Sequence, residues 1–348
     1  ALAAAAWIAP IVAAIFAATL AVFVAYRLGG YAGLVAGLGI SLPMPLIFVS
    51  QLARLDHQVI EGPLMVAIVA ATASLVAERD EGFRARSAVM LALAICVALF
   101  VQTALLAGAG IAFAILLALA ANRSRLLEGA FAYSLAAVVV YAYRRTLPDD
   151  YPTSAWFLGT PHVLILAGAS AALLFAATPL LVRRSALVRA LIASVPAGIL
   201  LVTLPAVWSA LGEGGGFFRG DPWLSTIDEF RPFFDNPVTA WLDALVLAPI
   251  AASVVLAIRA WRDDSRGRLA LAGCAIAYGV LAVTSRRFVY VAAPLAAVAG
   301  AIAFGDLLQL GRRRAAAFVG VLVVLAPALA TVVYLPGVRR SAGVQTEA

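Results

Sequence analysis

The stretch Asp56-His57-Gln58, followed shortly by Glu61, places metal-binding residue types close together in the sequence. Aspartate and histidine are common metal ligands, and the side-chain oxygens of Asp, Glu and Gln suit hard cations such as Mg²⁺ or Mn²⁺. The alternative is a solvated connector between apolar segments, in which Glu61 complements the N-terminus of a helix. The stretch therefore indicates either a divalent-cation site or a polar loop.

A second polar stretch, Thr226-Ile227-Asp228-Glu229, lies in a long segment of low hydropathy, 211–237. This segment also contains glycines, which give the backbone freedom, and pairs of phenylalanines, which suit a membrane interface. Long segments without secondary structure are usually functional or disordered, and the aromatic and charged residues here favour a function. The alternative is a surface loop in which Asp228 and Glu229 are near Arg231.

Arg286 and Arg287 form a third candidate, because they directly precede the Phe-Val-Tyr that opens a late apolar segment. A guanidinium binds phosphate oxygens through a fork of N–H donors, so this pair suits a phosphorylated ligand. The alternative is a pair of interfacial arginines that extend toward the lipid headgroups.

The composition indicates a membrane protein with several spans. Of the 348 residues, 64% are hydrophobic and only 12% are charged, against about a quarter in soluble domains. The net charge of +7 does not indicate a nucleic-acid partner, because the positions of the arginines explain it. Cys96 and Cys274 both lie in apolar runs, and we expect them to be buried small hydrophobic residues.

A helix needs about 20 apolar residues to cross the hydrocarbon core of a bilayer. Applied along the chain, this window predicts an all-α bundle of about twelve transmembrane helices. The predicted spans are 3–26, 31–50, 61–78, 87–105, 107–121, 127–143, 159–182, 187–210, 238–261, 269–284, 288–310 and 315–335.

Alternation of these spans across the membrane makes the arginines informative. All 25 basic residues are arginine, and most of them fall on one side, which the positive-inside rule makes cytoplasmic. This side holds Arg27, Arg79, Arg84, Arg86, Arg123, Arg125, Arg183, Arg184, Arg189, Arg259, Arg262, Arg266, Arg268, Arg312, Arg313 and Arg314. The opposite, outer face receives all three candidate clusters, where acid, metal and phosphate chemistry could converge.

The order of these motifs resembles the transmembrane part of the asparagine-linked oligosaccharyltransferase catalytic subunit family, in its single-subunit bacterial and archaeal form. The segment Asp56-His57-Gln58-Val59-Ile60-Glu61 is similar to the family's second acidic motif, and Thr226-Ile227-Asp228-Glu229 matches its Thr-Ile-x-Glu motif. Arg287-Phe288-Val289-Tyr290 is similar to the Arg-Phe stretch that opens a late span in that family. The resemblance implies a GT-C fold with an active site on the outer face.

The resemblance also sets the domain boundaries that we expect. Residues 1–338 would form one transmembrane GT-C-like domain with the long outer loop 211–237, and 339–348 would be a tail. If the first span here corresponds to the family's second, both motifs follow the spans that they follow in the family. We expect the family's first span, its first acidic motif and its soluble C-terminal domain to lie outside this chain. Gln58 is a further departure, because the family has Glu or His there.

The resemblance implies a mechanism as well. A polyprenyl-pyrophosphate-linked glycan would lie in the lipid bilayer with its pyrophosphate near Arg287, supported by Arg286 and Tyr290, and near Mg²⁺ or Mn²⁺. Asp56 would bind the cation together with Glu229, and His57 and Gln58 are further candidate ligands. Glu229 would also hold the asparagine amide of an acceptor polypeptide, with Thr226, Ile227 and Asp228 beside it. The glycan would transfer with inversion at the outward face of a bacterial or archaeal plasma membrane.

Two other functions are compatible with the sequence. One is a GT-C transferase that uses a polyprenyl-monophosphate sugar and modifies a lipid, a wall polymer or a hydroxyl group. Such enzymes usually carry their acidic pair in the first outer loop, which we expect to lie outside this chain. The other is a transporter or flippase for a polyprenyl-linked saccharide, which would favour inverted repeats and broken helices at the midplane.

Overall fold

The computed structural model describes residues 8–43, 58–77, 82–83, 85–148, 157–204, 240–285 and 288–333. These residues form helices and short turns, and none of them lies in a β-strand. The predicted all-α class is therefore confirmed. The long loop 211–237 and the tail 339–348 lie outside the described residues, so their boundaries stay predictions.

The helices follow the predicted spans in order. They are α1 (Ile8–Leu28), α2 (Gly30–Ser41), α3 (Gln58–Ala77), α4 (Ala85–Val101), α5 (Leu106–Leu119), α6 (Arg123–Arg144), α7 (Thr160–Ala176), α8 (Pro179–Val182), α9 (Ala186–Thr203), α10 (Ala240–Arg262), α11 (Arg266–Thr284), α12 (Val289–Gln309) and α13 (Arg313–Gly320). A 3₁₀ turn at Thr103–Leu105 joins α4 to α5, and α13 continues through a π-helical segment, Val321–Leu325.

Length and composition identify the helices that can cross a membrane. Among the described residues, seven helices are long and apolar enough: Ile8–Leu28, Ile60–Ala77, Arg123–Arg144, Ala244–Arg262, Arg266–Thr284, Val289–Gln309 and Arg313–Val333. The apolar helices α2, α4, α5 and α7 are shorter. A helical bundle with several candidate spans is thus confirmed, whereas the number of about twelve spans stays a prediction.

The prediction of one continuous span at 159–182 differs from the structure. The helix α7 ends at Ala176, a turn follows at Ala177 and Thr178, and α8 starts at Pro179. Proline has no N–H to donate to the preceding turn and its ring clashes there, so a helix ends before it. Hydropathy is continuous across this break and does not reveal it.

The chain divides into two compact units, which we describe separately. The first unit contains α1, α2, α10, α12 and α13, with the start of α3 up to Pro63 and the part of α11 from Ala275. The second unit contains α4 to α9, with the part of α3 from Leu64 and the part of α11 up to Cys274.

In the first unit, α12 is the central helix, and every residue from Val289 to Ala301 is buried. It packs against α1, α2, α10 and α13. Gly39 of α2 and Gly300 of α12 both lie against Val323 of the π-helical segment, and a Cβ at Gly39 would be 2.6 Å from Val323 Cγ1. Glycine is therefore required where these three helices meet.

In the second unit, α6 packs against α4 and α7. The Ser170 hydroxyl of α7 donates to the Ala130 carbonyl of α6 at 2.8 Å, and it lies 2.7 Å from the Ser134 hydroxyl. The Tyr133 hydroxyl donates to the Ala109 carbonyl of α5. Hydroxyl groups that bond across helices in this way stabilise bundles in an apolar medium.

Candidate functional site

The structure describes only part of the predicted site. Tyr290 is in the first turn of α12 and is 7% exposed. The backbone of Gln58 begins α3. The other predicted site residues lie outside the described residues: Asp56, His57, Thr226, Ile227, Asp228, Glu229, Arg286 and Arg287. Their proposed roles stay predictions.

Glu61 is the acidic residue of this region that the structure describes. It lies in the first turn of α3, as expected for a carboxylate that complements a helix N-terminus, and it is 2% exposed. A carboxylate of this burial is not part of a solvated connector, because burial of a charged group needs compensating partners. The start of α3 is therefore an interior element of the first unit.

The starts of α3 and α12 lie side by side. Gly62 of α3 contacts α12 so closely that a Cβ there would be 3.1 Å from the Tyr290 carbonyl oxygen and 3.4 Å from Pro294 Cγ. Along the chain, Asp56 and His57 directly precede α3, and the arginine pair precedes α12 by one residue, Phe288. The structure thus brings together the two helix starts that these motifs precede.

The end of α2 is also fixed within this unit. The Thr331 hydroxyl of the last span donates to the Leu42 carbonyl at 2.6 Å, just after α2. Leu42 is the C-cap residue of α2, whose last carbonyls need partners because the helix stops there. This bond anchors the chain shortly before the segment that carries the acidic motif.

The chemistry of the predicted donor set fits a divalent cation. Carboxylate and amide oxygens with one imidazole nitrogen suit Mg²⁺ or Mn²⁺ better than soft metals. Within the part of the chain that the structure describes, no group of three His, Cys, Asp or Glu side chains could hold a metal. The predicted ligands other than Gln58 are not in that part, so the cation stays a proposal.

Buried ionic residues lie in the second unit, and the sequence indicated for two of them, Arg125 and Arg189, only a place on the cytoplasmic side. In the second unit, Arg125 and Glu128 are both 0% exposed, with Nη1 and Oε2 2.5 Å apart, and Arg125 also donates to the Gly82 carbonyl at 2.6 Å. Their spacing of three residues on one helix was the signal that could have identified the pair.

Arg189 is a second such residue. Its guanidinium donates to the carbonyls of Leu117, Ala118 and Ala120 at 2.9 to 3.4 Å, and Arg266 donates to Leu119 at 3.2 Å. These carbonyls belong to the C-terminal end of α5, where cations are favoured by the helix dipole. Both arginines therefore act as caps of α5, a role that sequence periodicity does not show.

The prediction for the two cysteines agrees with the structure, which also describes a buried histidine. Cys96 and Cys274 are free and buried, as predicted for small hydrophobic residues. His162 is 2% exposed, and its Nδ1 accepts a hydrogen bond from the Gly159 N–H at 3.3 Å. None of these three residues belongs to the candidate site.

Comparison with known proteins places the fold. No family model and no curated protein matches the chain. Two solved structures of the oligosaccharyltransferase AglB from Archaeoglobus fulgidus match it with a TM-score of 0.72. One is a complex with an inhibitory peptide and a dolichol-phosphate, at 20% identity, and the other is the apo form, at 19% identity. Both matches cover 94% of this chain and 44% of the archaeal protein.

A third structure shows the archaeal enzyme tethered to an acceptor peptide that contains the Asn-Val-Thr sequon. It matches with a TM-score of 0.65 and 20% identity, over 94% of this chain and 43% of the enzyme. The chain thus spans less than half of the length of these proteins. The resemblance that the motifs predicted is confirmed at the level of the fold, and the chain has the GT-C fold of the transmembrane part of an oligosaccharyltransferase.

Proposed function

We propose that this chain is the transmembrane part of a membrane glycosyltransferase that moves a glycan from a polyprenyl-pyrophosphate donor to an acceptor asparagine. The observation that carries the proposal is the fold shared with the archaeal oligosaccharyltransferase, and the sequence motifs that resemble those of its family support it. The archaeal enzyme was solved with a dolichol-phosphate and with an acceptor peptide, which supports a lipid-linked donor and a peptide acceptor here. We place the activity on the outward face of a prokaryotic plasma membrane.

The contact between the starts of α3 and α12 supports the proposal that the acidic stretch and the arginine pair act on the same pyrophosphate. The leaving pyrophosphate gains negative charge in the transition state, and pre-positioned cationic groups stabilise such charge strongly. Arg286 and Arg287 supply guanidinium groups before α12, and Asp56 and His57 supply cation ligands before α3. A bound Mg²⁺ or Mn²⁺ would add Lewis-acid stabilisation of the same phosphate oxygens.

In this proposal, Glu229 and Thr226 bind the amide of the acceptor asparagine. An amide nitrogen is a weak nucleophile because its lone pair is delocalised into the carbonyl. Hydrogen bonds that fix the asparagine amide against the anomeric carbon therefore contribute through orientation. Attack on the face opposite the pyrophosphate inverts the anomeric centre.

The first prediction tests the acids directly. In the full-length protein, Asp56→Ala and Glu229→Gln should each lower glycan transfer by at least about 100-fold, because each removes charge stabilisation or orientation at the reacting groups. Transfer to a sequon peptide is measured with purified protein and a polyprenyl-pyrophosphate glycan. The matched control is Asp263→Asn, an exposed acid beyond the end of α10, which should leave transfer unchanged. Wild-type transfer by both site variants would reject the assignment.

The same assay separates the proposed reaction from the other GT-C chemistry. Transfer should require the pyrophosphate donor and the acceptor asparagine, since the proposed site uses a pyrophosphate leaving group and an amide nucleophile. A polyprenyl-monophosphate sugar, or a peptide with the asparagine replaced by glutamine, should give no product. Product from the monophosphate donor would instead favour a transferase of the other type.

A further inference from the structure

The tight contact at Gly62 connects the two helices that follow the acidic and arginine motifs. Three atoms limit the space there: the Tyr290 carbonyl oxygen at 3.1 Å, Pro294 Cγ at 3.4 Å and Phe16 Cε1 at 3.8 Å from the position of an added Cβ. A distance of 3.1 Å is tighter than ordinary van der Waals contact, and the nearest atom belongs to the backbone, so it cannot rotate away. A Cβ at residue 62 therefore requires the neighbouring backbone of α12 to yield by a few tenths of an ångström.

Pro294 lies at the same contact and removes one backbone hydrogen-bond donor from α12. Residue 294 would normally donate its N–H to the carbonyl of Tyr290, four residues earlier, but proline has no N–H. A proline inside a helix is a usual cause of a local kink. Here the Tyr290 carbonyl oxygen lies 3.1 Å from the position that a Cβ on Gly62 would take.

The neighbours of this contact are buried, so the contact is not a mobile surface feature. Glu61 is 2% exposed and Tyr290 is 7% exposed. On the sequence, Gly62 is five residues after His57, and Tyr290 is three residues after Arg287. A displacement of either helix start would therefore shift the chain that carries the motif before it.

We propose that Gly62 is a positioning residue that holds the start of α3 against the start of α12 and so sets the separation of the acidic motif from the arginine pair. The inference rests on the proposed function for the roles of Asp56 and Arg287. The contact itself is independent of that function and is tested separately.

The first arm of the test measures the contact without any substrate. Thermal unfolding of purified full-length protein is compared for wild type, Gly62→Ala, Pro294→Ala and the double variant. Replacing Pro294 removes the Cγ contact and restores an N–H for the Tyr290 carbonyl, so the double variant should melt several degrees higher than additive shifts would give. Additive shifts in melting temperature would overturn the inference.

The second arm measures the effect on the motifs. Gly62→Ala should weaken Mn²⁺ binding by roughly 10-fold, because replacing residues that orient metal ligands commonly lowers affinity by that much. Binding is measured from the decrease in the electron paramagnetic resonance signal of free Mn²⁺. Gly62→Ala should also raise the KM for the pyrophosphate donor. Pro294→Ala in the Gly62→Ala background should restore part of both.

Two further glycines provide matched controls. Gly110→Ala adds a methyl group where no atom lies within 4 Å, and it should change neither Mn²⁺ affinity nor KM. Gly300→Ala crowds the bundle elsewhere and should lower the melting temperature without changing the Mn²⁺ affinity of the folded protein. A Gly62→Ala protein with wild-type Mn²⁺ affinity and wild-type donor KM would overturn the inference. Wild-type protein that neither binds Mn²⁺ nor transfers glycan would overturn the proposed function instead. The melting temperatures of the single and double variants would then decide the inference alone.

Discussion

Buried charges are the residues whose placement is most demanding in this protein. Arg125 and Glu128 are fully buried in the second unit, and their mutual bond is supplemented by the Gly82 carbonyl and by the Asn122 side chain, which caps α6 through the Arg125 N–H. Such a pair does not stabilise a fold more than apolar residues would, but removing one partner leaves an uncompensated charge. The pair also ties α6 to the segment before α4.

This geometry gives the second prediction. Glu128→Ala should lower the free energy of unfolding by about 3–5 kcal/mol, because it removes the carboxylate from a buried guanidinium. Glu128→Gln keeps an acceptor oxygen and should lower the free energy of unfolding by less than Glu128→Ala does. The measurement is denaturant unfolding of the purified protein in detergent.

A surface ion pair serves as the control for this prediction. Asp263 is 52% exposed and lies 3.8 Å from Arg259, so Asp263→Asn should change the free energy of unfolding by less than about 1 kcal/mol. Equal losses for Glu128→Ala and Asp263→Asn would show that burial does not set the effect.

At the scale of helices, hydropathy predicted where helices occur but not how they end or pack. The twelve apolar windows correspond to the observed helices because backbone groups in a bilayer must bond within their own segment. The break at Pro179 and the π-helical segment Val321–Leu325 were not predicted. Both depend on backbone hydrogen bonding, which an average of side-chain hydropathy does not contain.

The third prediction concerns the π-helical segment. A Cβ at Gly300 would overlap Val323 Cγ2 and lie 3.0 Å from the Ala252 Cβ, so Gly300→Ala should cost about 1–3 kcal/mol of unfolding free energy through overpacking. Val323→Ala shortens the opposing side chain, and the double variant should be more stable than the sum of the single effects predicts.

The comparison for this prediction is Gly110→Ala, in α5. Nothing lies within 4 Å of its added Cβ, and alanine is a better helix former than glycine, so this variant should be unchanged or more stable by up to about 1 kcal/mol. Additive changes in the free energy of unfolding for Gly300→Ala and Val323→Ala would show that the two side chains are not in steric contact.

At the scale of the whole molecule, the fold class could be predicted from the sequence, but the contact between the starts of α3 and α12 could not. Asp56-His57-Gln58 and Arg286-Arg287 are far apart in sequence, and only alternation across the membrane suggested a common face. The Gly62–Tyr290 contact depends on which helices are neighbours, and periodicity does not give that. Residues such as Arg189 look like ordinary positive-inside arginines in sequence, yet this one is buried against helix carbonyls.

The last prediction tests the orientation that the proposed function requires. If the spans alternate across the membrane as predicted, we expect the turn after α6 on the outer side and the turn after α10 on the cytoplasmic side. Thr146→Cys should therefore react with a membrane-impermeant maleimide in intact cells, and Asp263→Cys should react only after permeabilisation; both positions are exposed. The natural cysteines, Cys96 and Cys274, are buried and should contribute little background. If only Asp263→Cys were labelled in intact cells, the topology would be the opposite of the predicted one. The start of α3 would then face the cytoplasm, which contradicts the proposed outward active site.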